Sequence, residues 1–181
     1  MKFKKLKIKD IVLIKPKVHK DNRGKFSEVF KQKELNNFLK NDIKFVQENF
    51  SSSSKNVLRG MHYQVPPFEQ GKLIKVTKGK IFDVALDIRK NSNTYGKYVS
   101  YILSASNLYQ LWIPPGFAHG FYVMSDSAEI LYKCTNYYSK KSERTIVWND
   151  ETTKIKWPIN IKPILSEKDL NASSLNDSET F

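Results

Sequence analysis

The fold is decided first by residues 81–88, Ile81-Phe82-Asp83-Val84-Ala85-Leu86-Asp87-Ile88. Successive side chains of a β-strand point to opposite faces of its sheet, so a strand repeats with a period of two residues. In this segment one face is wholly apolar, whereas the other carries Asp83 and Asp87. We therefore predict a strand that presents an acid to the interior of a barrel or to a partner sheet.

Eight other short segments have the composition of strands, and residues that favour turns separate them. The turn signals include Asn22-Arg23-Gly24, Lys78-Gly79 and Pro114-Pro115-Gly116. Besides Lys80–Ile88, the predicted strands are Ile11–Lys15, Phe26–Phe30, Lys72–Thr77, Tyr98–Leu103, Gln110–Ile113, Gly120–Met124, Glu129–Tyr138 and Thr145–Trp148. Many short strands between turns indicate an all-β sandwich or barrel. The lysine-rich start, residues 2–9, looks like a charged strand at the edge of such a sheet.

Helix is predicted at only two places. Leu35, Phe38 and Leu39 have helical spacing within Lys33–Lys40, and Ser166 opens a capping box that includes Asp169. The segment 171–181 is polar and rich in small residues, so we expect it to be largely unstructured. No shift in composition divides the 181 residues, and we predict a single domain over residues 1–181.

The formal net charge of +13 at pH 7 is compatible with two kinds of surface. Dispersed lysine can neutralise the phosphates of a nucleic acid. However, most of the excess is lysine spread along the chain, and arginine, which makes planar bidentate contacts, occurs only at positions 23, 59, 89 and 144. We therefore favour a solvated basic surface and expect no nucleic-acid partner. A positive field would still attract an anionic ligand.

The compartment is predicted from two further features. No apolar run approaches the roughly 20 residues that cross a bilayer, so we expect no membrane partner. The single cysteine, Cys134, has no intrachain partner for a disulfide and fits a reducing compartment. We expect a cytoplasmic protein.

The candidate chemistry is concentrated in residues 57–72, which we place between two strand-like runs. Val57-Leu58-Arg59-Gly60-Met61-His62-Tyr63-Gln64 is followed closely by Gly71-Lys72. An imidazole is a base near neutral pH, a guanidinium can clamp an anion, and an ammonium can stabilise a developing negative oxygen. This combination suggests carbanion chemistry.

Together with four further motifs, the segment resembles the dTDP-4-dehydrorhamnose 3,5-epimerase family of nucleotide-sugar enzymes, from about Asp21 to Asp169. The motifs are Asp21-Asn22-Arg23-Gly24, Gln47-Glu48-Asn49, residues 113–121 and residues 132–138. The resemblance implies a cupin-type jelly-roll β-barrel with a few short helices, and a homodimer whose chains exchange strands. It also implies that a dTDP-4-keto-6-deoxyhexose, dTDP-4-dehydro-6-deoxy-D-glucose, is epimerised at C3 and C5 through an enolate. The product would be dTDP-4-dehydro-L-rhamnose, an intermediate of dTDP-rhamnose biosynthesis, and no cofactor is needed.

The same resemblance implies the role of each site residue. His62 is the catalytic base, Asp169 steadies it, Lys72 stabilises the enolate, and Tyr132 returns a proton to the opposite face of the sugar. The substrate-binding positions of the family match Arg23, Glu28, Gln47, Asn49, Arg59, Lys72, His119, Tyr138, Glu143 and Lys168. Of these, the arginines suit the diphosphate or the sugar, and Tyr138 corresponds to the aromatic that stacks on thymine.

Each of these residues also has a purely structural interpretation. His62 could be a hydrogen-bonded strand histidine, Asp169 part of a helix cap, and Tyr132 a core aromatic. A solvent-facing Lys72 would be the commoner case, because burying an unpaired ammonium is costly. The arginines could be solvated turn residues, and the remaining candidates plain polar surface. The occurrence of a base, its carboxylate, an ammonium and a phenol together favours the enzymatic interpretation.

We expect no metal site. Many cupins hold a metal with a His-x-His pair, a glutamate and a third histidine. Here position 64 is Gln64, and the chain has only His19, His62 and His119.

Three other functions share part of the chemistry or the fold: an epimerase that inverts C3 only, a 3,4-ketoisomerase acting on a related nucleotide 4-ketosugar, and a non-catalytic sugar-binding β-barrel.

Overall fold

Two antiparallel sheets form the body of the molecule, which the computed structural model describes over residues 1–181. The larger sheet has the strand order β1 (Lys2–Lys5), β2 (Val12–Lys15), β10 (Gln110–Ile113), β7 (Lys72–Lys78), β12 (Ser127–Cys134) and β5 (Gln47–Ser54). The smaller sheet has the order β13 (Glu143–Thr145), β6 (Leu58–Gln64), β11 (Phe117–Val123), β8 (Lys80–Asp87) and β9 (Tyr98–Ser104). Strands β3 (His19–Asp21) and β4 (Gly24–Phe26) form a separate hairpin. The helices are α1 (Gln32–Leu39) and α2 (Glu167–Leu170).

The main hydrophobic core lies between the two sheets. It contains 16 buried residues, among them Leu13, Ile74 and Ile130 from the larger sheet and Ile81 and Phe121 from the smaller one. Because each sheet buries one face against the other, the two close into a jelly-roll barrel of the cupin type. The predicted all-β fold with a few short helices is confirmed.

The alternation that predicted strand β8 is borne out residue by residue. Asp83 is completely buried on the face that also carries the core residues Ile81 and Ala85. Val84 and Leu86 point the other way, into a second cluster of nine buried residues. The strand is therefore covered on both faces, and its acid faces the barrel interior as predicted.

Several predicted strands have different bounds in the structure, and three of them run at least three residues past the end of the observed strand. Only Phe26 of the predicted strand Phe26–Phe30 is in a strand, because the chain then leads into α1 and Phe30 packs edge-on against Phe45 at 5.6 Å between ring centroids. The predicted strand Glu129–Tyr138 ends at Cys134, where residues 135–138 turn toward the mouth of the barrel. The predicted strand Thr145–Trp148 shares only Thr145 with β13.

Two strands of the main sheets, β5 and β6, were not predicted. Strand β5 reads Gln-Glu-Asn-Phe followed by four serines, so it lacks the apolar alternation that marks a strand in sequence. It lies at one edge of the larger sheet and pairs only with β12. Residues 58–64, which we placed between strands, are themselves strand β6.

The prediction that residues 171–181 are largely unstructured is wrong. Leu175 is completely buried, and its N–H donates to Oδ2 of Asp150 at 2.8 Å. Phe181 packs against the second cluster, and its N–H donates to the carbonyl of Ile88 at 3.2 Å. The polar composition concealed these two apolar anchors.

Both predicted helices are present. Helix α1 covers Gln32–Leu39, one residue earlier than predicted, and buries Leu35. Ser166 caps α2, because its Oγ accepts the N–H of Asp169 at 3.2 Å. No helix of the chain combines the length and the apolar character that a membrane span requires.

Candidate active site

One cavity, of about 280 Å³, gathers most of the predicted site residues. It is lined from both sheets by Gln47, Asn49, His62, Tyr63, Gln64, Gln70, Lys72, Tyr132, Tyr138 and Glu143. A larger cavity of about 600 Å³ opens near β1 and residues 41–44, but none of the predicted residues lines it. Size alone would select the wrong place, and we assign the site by its chemistry.

His62 and Asp169 form a tight pair at one wall of this cavity. Nε2 of His62 lies 2.5 Å from Oδ1 of Asp169, although 107 positions separate the two residues in sequence. Asp169 is 1% exposed, and its second oxygen, Oδ2, accepts the hydroxyl of Ser166 at 2.9 Å. Since an ionised carboxylate can only accept, Nε2 donates and Nδ1 is left free to take a proton.

The environment favours the base form of this pair. Burial lowers the pKa of His62 below its ordinary value, and the opposing effect of the Asp169 carboxylate does not restore it. Burial alone would raise the pKa of Asp169, but the hydrogen bonds from His62 and Ser166 outweigh it and keep the pKa low. At neutral pH the imidazole is therefore neutral and its partner is ionised. We call His62 and Asp169 the dyad wall.

Lys72 begins strand β7 of the other sheet and reaches the same cavity. Its Nζ donates to the main-chain carbonyl of His62 at 3.3 Å, which uses one of its three hydrogens. Burial lowers the pKa of Lys72, with partial compensation by Cys134, Glu143 and Asp83. A desolvated ammonium with free donors is suited to stabilise a negative oxygen.

Tyr132 lies on strand β12, where it pairs in register with Ile74 of β7. Ile74 is two residues from Lys72 on the same strand. It is half-buried, and burial raises the pKa of its phenol above the ordinary value. The phenol therefore stays protonated at neutral pH and can act as a proton donor. We call Lys72 and Tyr132 the donor wall.

The two walls belong to different sheets. His62 comes from the five-stranded sheet, whereas Lys72 and Tyr132 come from the six-stranded sheet. All three side chains line one cavity. A flat molecule bound between the sheets would therefore meet a base on one face and an acid on the other.

The mouth of the cavity is organised by amide side chains. Gln47 donates to Oδ1 of Asn49 at 2.9 Å and accepts the N–H of Tyr138 at 2.9 Å. Nδ2 of Asn49 contacts Sγ of Cys134 at 3.6 Å. The backbone of Tyr138 is thereby held in place, and the residue as a whole is 54% exposed. An exposed, anchored ring is available for stacking.

Glu143 joins this mouth to helix α2. Its Oε2 accepts the Tyr138 hydroxyl at 3.2 Å, and its Oε1 accepts Nζ of Lys168 at 2.8 Å. Burial would raise the pKa of Glu143, but Lys168 and the other neighbouring groups lower it, so the carboxylate is ionised. Glu143 and Lys168, predicted from distant parts of the sequence, are brought together.

A second cavity, of about 500 Å³, lies next to the dyad wall. Arg59, His62, Lys168 and Asp169 line it, and Nε of Arg59 donates to Oγ of Ser53 at 3.0 Å. The remaining guanidinium donors and the Lys168 ammonium give this cavity the character of an anion site. His62 lines both cavities, so a ligand with an anionic part and a neutral part could extend from one into the other.

His119 stands opposite His62 in the register of strands β11 and β6. It is 8% exposed, and its Nε2 lies 2.9 Å from Oδ2 of Asp83. His119 and Asp83 thus form a second buried histidine–aspartate pair, on the neighbouring strands β11 and β8. His119 does not line the main cavity itself.

Arg23 and Glu28 are not brought to the cavity of this chain. Arg23 lies in the β3–β4 hairpin, where it is exposed and pairs with Asp21 at 2.6 Å. Glu28 is also exposed and lies 3.5 Å from Nζ of Lys31. Their predicted contact with substrate stays a prediction.

Several lining residues were not predicted as part of the site. Gln64 accepts the N–H of Ser139 at 2.7 Å and donates to the carbonyl of Tyr137 at 3.1 Å, so it shapes the loop that carries Tyr138. Tyr63 and Gln70 complete the lining. Asp83 supports His119. The alternation of β8 indicated that Asp83 is interior, but no signal in the sequence joined it to a histidine.

The donor set for a metal is sparse. No group of three or more histidine, cysteine, aspartate or glutamate side chains in the chain is arranged to hold an ion. Gln64 donates and accepts hydrogen bonds within the protein, and His19 lies on the separate hairpin.

A jelly-roll barrel whose cavity sets a histidine–aspartate pair opposite a phenol and an ammonium defines a class: acid–base enzymes that move protons at carbon. The model of the dTDP-4-dehydrorhamnose 3,5-epimerase family matches residues 5–177. A dTDP-4-dehydrorhamnose 3,5-epimerase of Shigella flexneri is 50% identical over 177 residues, which span 98% of this chain and 97% of the relative. The chain belongs to the dTDP-4-dehydrorhamnose 3,5-epimerase family.

Solved structures agree with this assignment. The crystal structure of dTDP-6-deoxy-D-glucose-3,5-epimerase from Legionella pneumophila, in complex with dTDP-4-keto-L-rhamnose, is 46% identical with a TM-score of 0.95 and covers 98% of this chain and 94% of that chain. A 3'-monoepimerase from Streptomyces bikiniensis, in complex with dTDP-quinovose, is 30% identical with a TM-score of 0.89 and covers 94% of this chain and 86% of that chain.

Proposed function

We propose that the chain epimerises dTDP-4-dehydro-6-deoxy-D-glucose at C3 and C5 to dTDP-4-dehydro-L-rhamnose. The carbons beside the C4 ketone carry the acidic hydrogens of this sugar, so each inversion needs a base on one face and a proton donor on the other. One observation carries the proposal: His62 and Tyr132 approach the same cavity from opposite sheets. Full-length similarity to dTDP-4-dehydrorhamnose 3,5-epimerases supports the choice of substrate.

The proposed steps conserve protons. Nδ1 of neutral His62 takes the hydrogen from carbon, and Asp169 stabilises the imidazolium that forms. The electron pair moves onto the C4 oxygen as an enolate, and the Lys72 ammonium stabilises its charge. Tyr132 then gives its phenolic proton to the opposite face of the carbon. Solvent returns a proton to the phenolate and removes one from the imidazolium before the second carbon reacts.

We assign the nucleotide to the outer part of the site. The exposed ring of Tyr138 is placed to stack on the base, and Gln47 and Asn49 hold its loop. Arg59 and Lys168 in the neighbouring cavity would neutralise the diphosphate. Glu143, bonded to both Tyr138 and Lys168, would link the two subsites.

We further propose that the protein is a homodimer whose chains exchange strands. The β3–β4 hairpin pairs with neither main sheet, and Phe26 within it is 71% exposed. An isolated two-stranded hairpin is marginally stable, so a partner surface is expected to cover it. In such a dimer Arg23 and Glu28 would reach the cavity of the other chain. The buried single Cys134 fits a reducing, cytoplasmic setting.

Inactive variants offer a test of the exchanged dimer. Arg23→Ala and His62→Asn chains, each inactive alone, should regain activity when mixed and allowed to exchange. Each heterodimer then contains one site with both residues intact, up to about a quarter of all sites. Absence of recovery in a verified heterodimer would mean that Arg23 acts within its own chain or has no role in the site.

The second candidate is an epimerase that inverts C3 only, and the Streptomyces bikiniensis 3'-monoepimerase favours it. Proton NMR of the product distinguishes the two functions, because the H2–H3 coupling constant reports the configuration at C3 and the nuclear Overhauser effects of H5 report the configuration at C5. We expect inversion at both carbons. Inversion at C3 alone would support the second candidate, a shifted carbonyl would indicate a ketoisomerase, and binding with no reaction would leave a non-catalytic barrel.

A further inference from the structure

The helix that carries Asp169 is too short to hold its own position. Helix α2 has four residues, Glu167–Leu170, and the cooperative stability of a helix needs about 12–15 residues in isolation. The hydrogen bonds that hold the helix together are the Ser166 cap and the main-chain bonds of a single helical turn. The 2.5 Å contact between Asp169 and His62 therefore depends on what fixes the chain on either side of α2.

Before the helix, the chain is tied to the start of strand β6. Ile164 donates its N–H to the carbonyl of Asn56 at 2.9 Å, and Leu58 donates its N–H to the carbonyl of Ile164 at 3.0 Å. This parallel pairing fixes Ile164, which is two residues from the cap. It leaves the other end of α2 unconstrained.

After the helix, residues 171–181, which we name the carboxy-terminal strap, supply the second tie. The carbonyl of Ser173 accepts the N–H of Val147 at 2.8 Å, and Asp150 accepts the N–H of Leu175 at 2.8 Å. Further along, the Tyr63 hydroxyl donates to the carbonyl of Glu179 at 2.5 Å. Arg144 also pairs with the Glu179 carboxylate at 2.6 Å. The strap is thus fixed along most of its length.

The strap and the catalytic strand share one hydrophobic cluster. Met61, Tyr63 and Val65 of the β6 region point into it, on the face opposite to His62, and Leu175 is the buried residue that the strap contributes. Leu175 and Met61 are both 0% exposed. A closely packed cluster transmits small displacements, so the same packing fixes the positions of His62 and of Asp169.

We propose that the carboxy-terminal strap positions Asp169 against His62, and that Leu175 is the positioning residue that anchors it. The inference rests on the proposed function, in which the pair removes the proton from carbon. Leu175 touches neither the cavity nor the dyad, and it acts through the path of the chain from the cluster to α2.

The protonation of His62 provides a readout that general loss of stability would not change. The ionisable groups near His62 are Asp169 and Lys168 on α2, Lys72 on β7, Glu143 on β13 and His119 on β11. Among the charged groups that act on His62, Asp169 has the largest effect and raises the pKa of the imidazole. Lys168 on the same helix has a smaller effect and lowers that pKa. Burial has the largest effect of all and lowers the pKa, so loosening α2 while the imidazole stays buried removes the opposing effect of Asp169 and should lower the pKa of His62 further.

Leu175→Ala tests the inference directly. We expect kcat to fall by about tenfold to hundredfold, because a displacement near 1 Å of a catalytic group has an effect of this order. The KM for the nucleotide sugar should change little. The acid limb of the pH–rate profile, and the pKa of His62 measured by NMR, should move to lower pH. Leu175→Met, which conserves volume, should restore most of the activity.

Leu35→Ala is the matched control, because Leu35 is 1% exposed in a third cluster that does not contact the strap. It should lower stability without moving the pKa of His62.

If Leu175→Ala does not fold, Phe181→Ala can be used instead, because it loosens the other end of the strap. We then expect the pKa of His62 to move in the same direction by a smaller amount. An unchanged pKa and kcat in a folded strap variant would overturn the inference. A wild-type chain that does not epimerise its substrate would instead refute the proposed function.

Discussion

The two walls of the cavity differ in how many of their polar atoms are already committed. In the dyad wall, His62 and Asp169 are 2.5 Å apart, and Ser166 occupies the second carboxylate oxygen. In the donor wall, Lys72 makes a single 3.3 Å bond to a carbonyl, and the Tyr132 hydroxyl makes no hydrogen bond to the protein. The proposed base is therefore preorganised, whereas the proposed donors have hydrogen-bonding capacity left for a substrate.

The difference has a physical reason. A general base must hold one tautomer and one orientation before the carbon approaches, which requires a fixed carboxylate. A group that stabilises or protonates the enolate acts on atoms that the substrate brings, so its hydrogen-bonding capacity has to be available. Variants of each wall should consequently fail in different ways.

The largest effect is expected for His62→Asn. A positioned general base contributes about 10²–10⁴ in rate, so exchange of carbon-bound hydrogen should fall by this factor. Binding of dTDP, measured by calorimetry, should be nearly unchanged, because the variant retains Tyr138, Arg59 and Lys168, the contacts that we propose for the nucleotide. Near-normal turnover of this variant would show that another residue is the base.

Lys72→Met should have the next largest effect. Removing one preorganised donor to a developing oxyanion reduces kcat by about 10²–10³. Because the lost interaction is made mainly in the transition state, kcat and kcat/KM should fall together in steady-state kinetics. A rise in KM with kcat unchanged would reassign Lys72 to substrate binding.

Asp169→Asn should reduce kcat less than His62→Asn, by about tenfold to hundredfold, the order expected when a catalytic group is displaced by about 1 Å. The imidazole remains but loses the carboxylate that orients it. The pKa of His62 should also move further below its ordinary value, because Asp169 raises it in the native site. Activity would then persist to lower pH, and the acid limb of the pH–rate profile measures this shift. A limb that moves to higher pH would contradict the pairing.

The smallest effect is expected from chelation. Neither wall presents a cluster of three ionisable metal ligands, and of the other two histidines His119 is paired with Asp83 and His19 lies on the hairpin. Exhaustive treatment with a chelator, followed by gel filtration, should leave kcat unchanged. Restoration of lost activity by one particular transition metal would refute the proposed mechanism.

The sequence predicted the fold well wherever polarity alternated. Strand β8 was correct because its buried acids are spaced by the period of a strand, and the Ser166 cap was correct because its signal is local. Strand β5 was missed because four serines carry no such pattern. The strap was misjudged because only Leu175 and Phe181 are apolar anchors, and its other contacts are made by polar groups, many of them in the main chain.

The site was predicted by motif and resemblance rather than by spacing. Seven of the proposed residues line the main cavity, and Asp169 reaches His62 across 107 positions, a contact that no local pattern could predict. The pairing of His119 with Asp83 depends on the register of β11 and β8, which is set only in the folded sheet. Arg23 in the hairpin and Glu28 after it lie away from the main cavity, and their contact with substrate stays a prediction.

The central claim is that the dyad wall removes protons and the donor wall returns them from the opposite face. The most direct measurement compares wild type with Tyr132→Phe in heavy water and follows deuterium and configuration at C3 and C5 by NMR. Wild type should leave deuterium with inverted configuration at both carbons. Tyr132→Phe should still exchange hydrogen, since His62 is intact, but mostly with retention. Inversion by Tyr132→Phe at the wild-type rate would contradict the account.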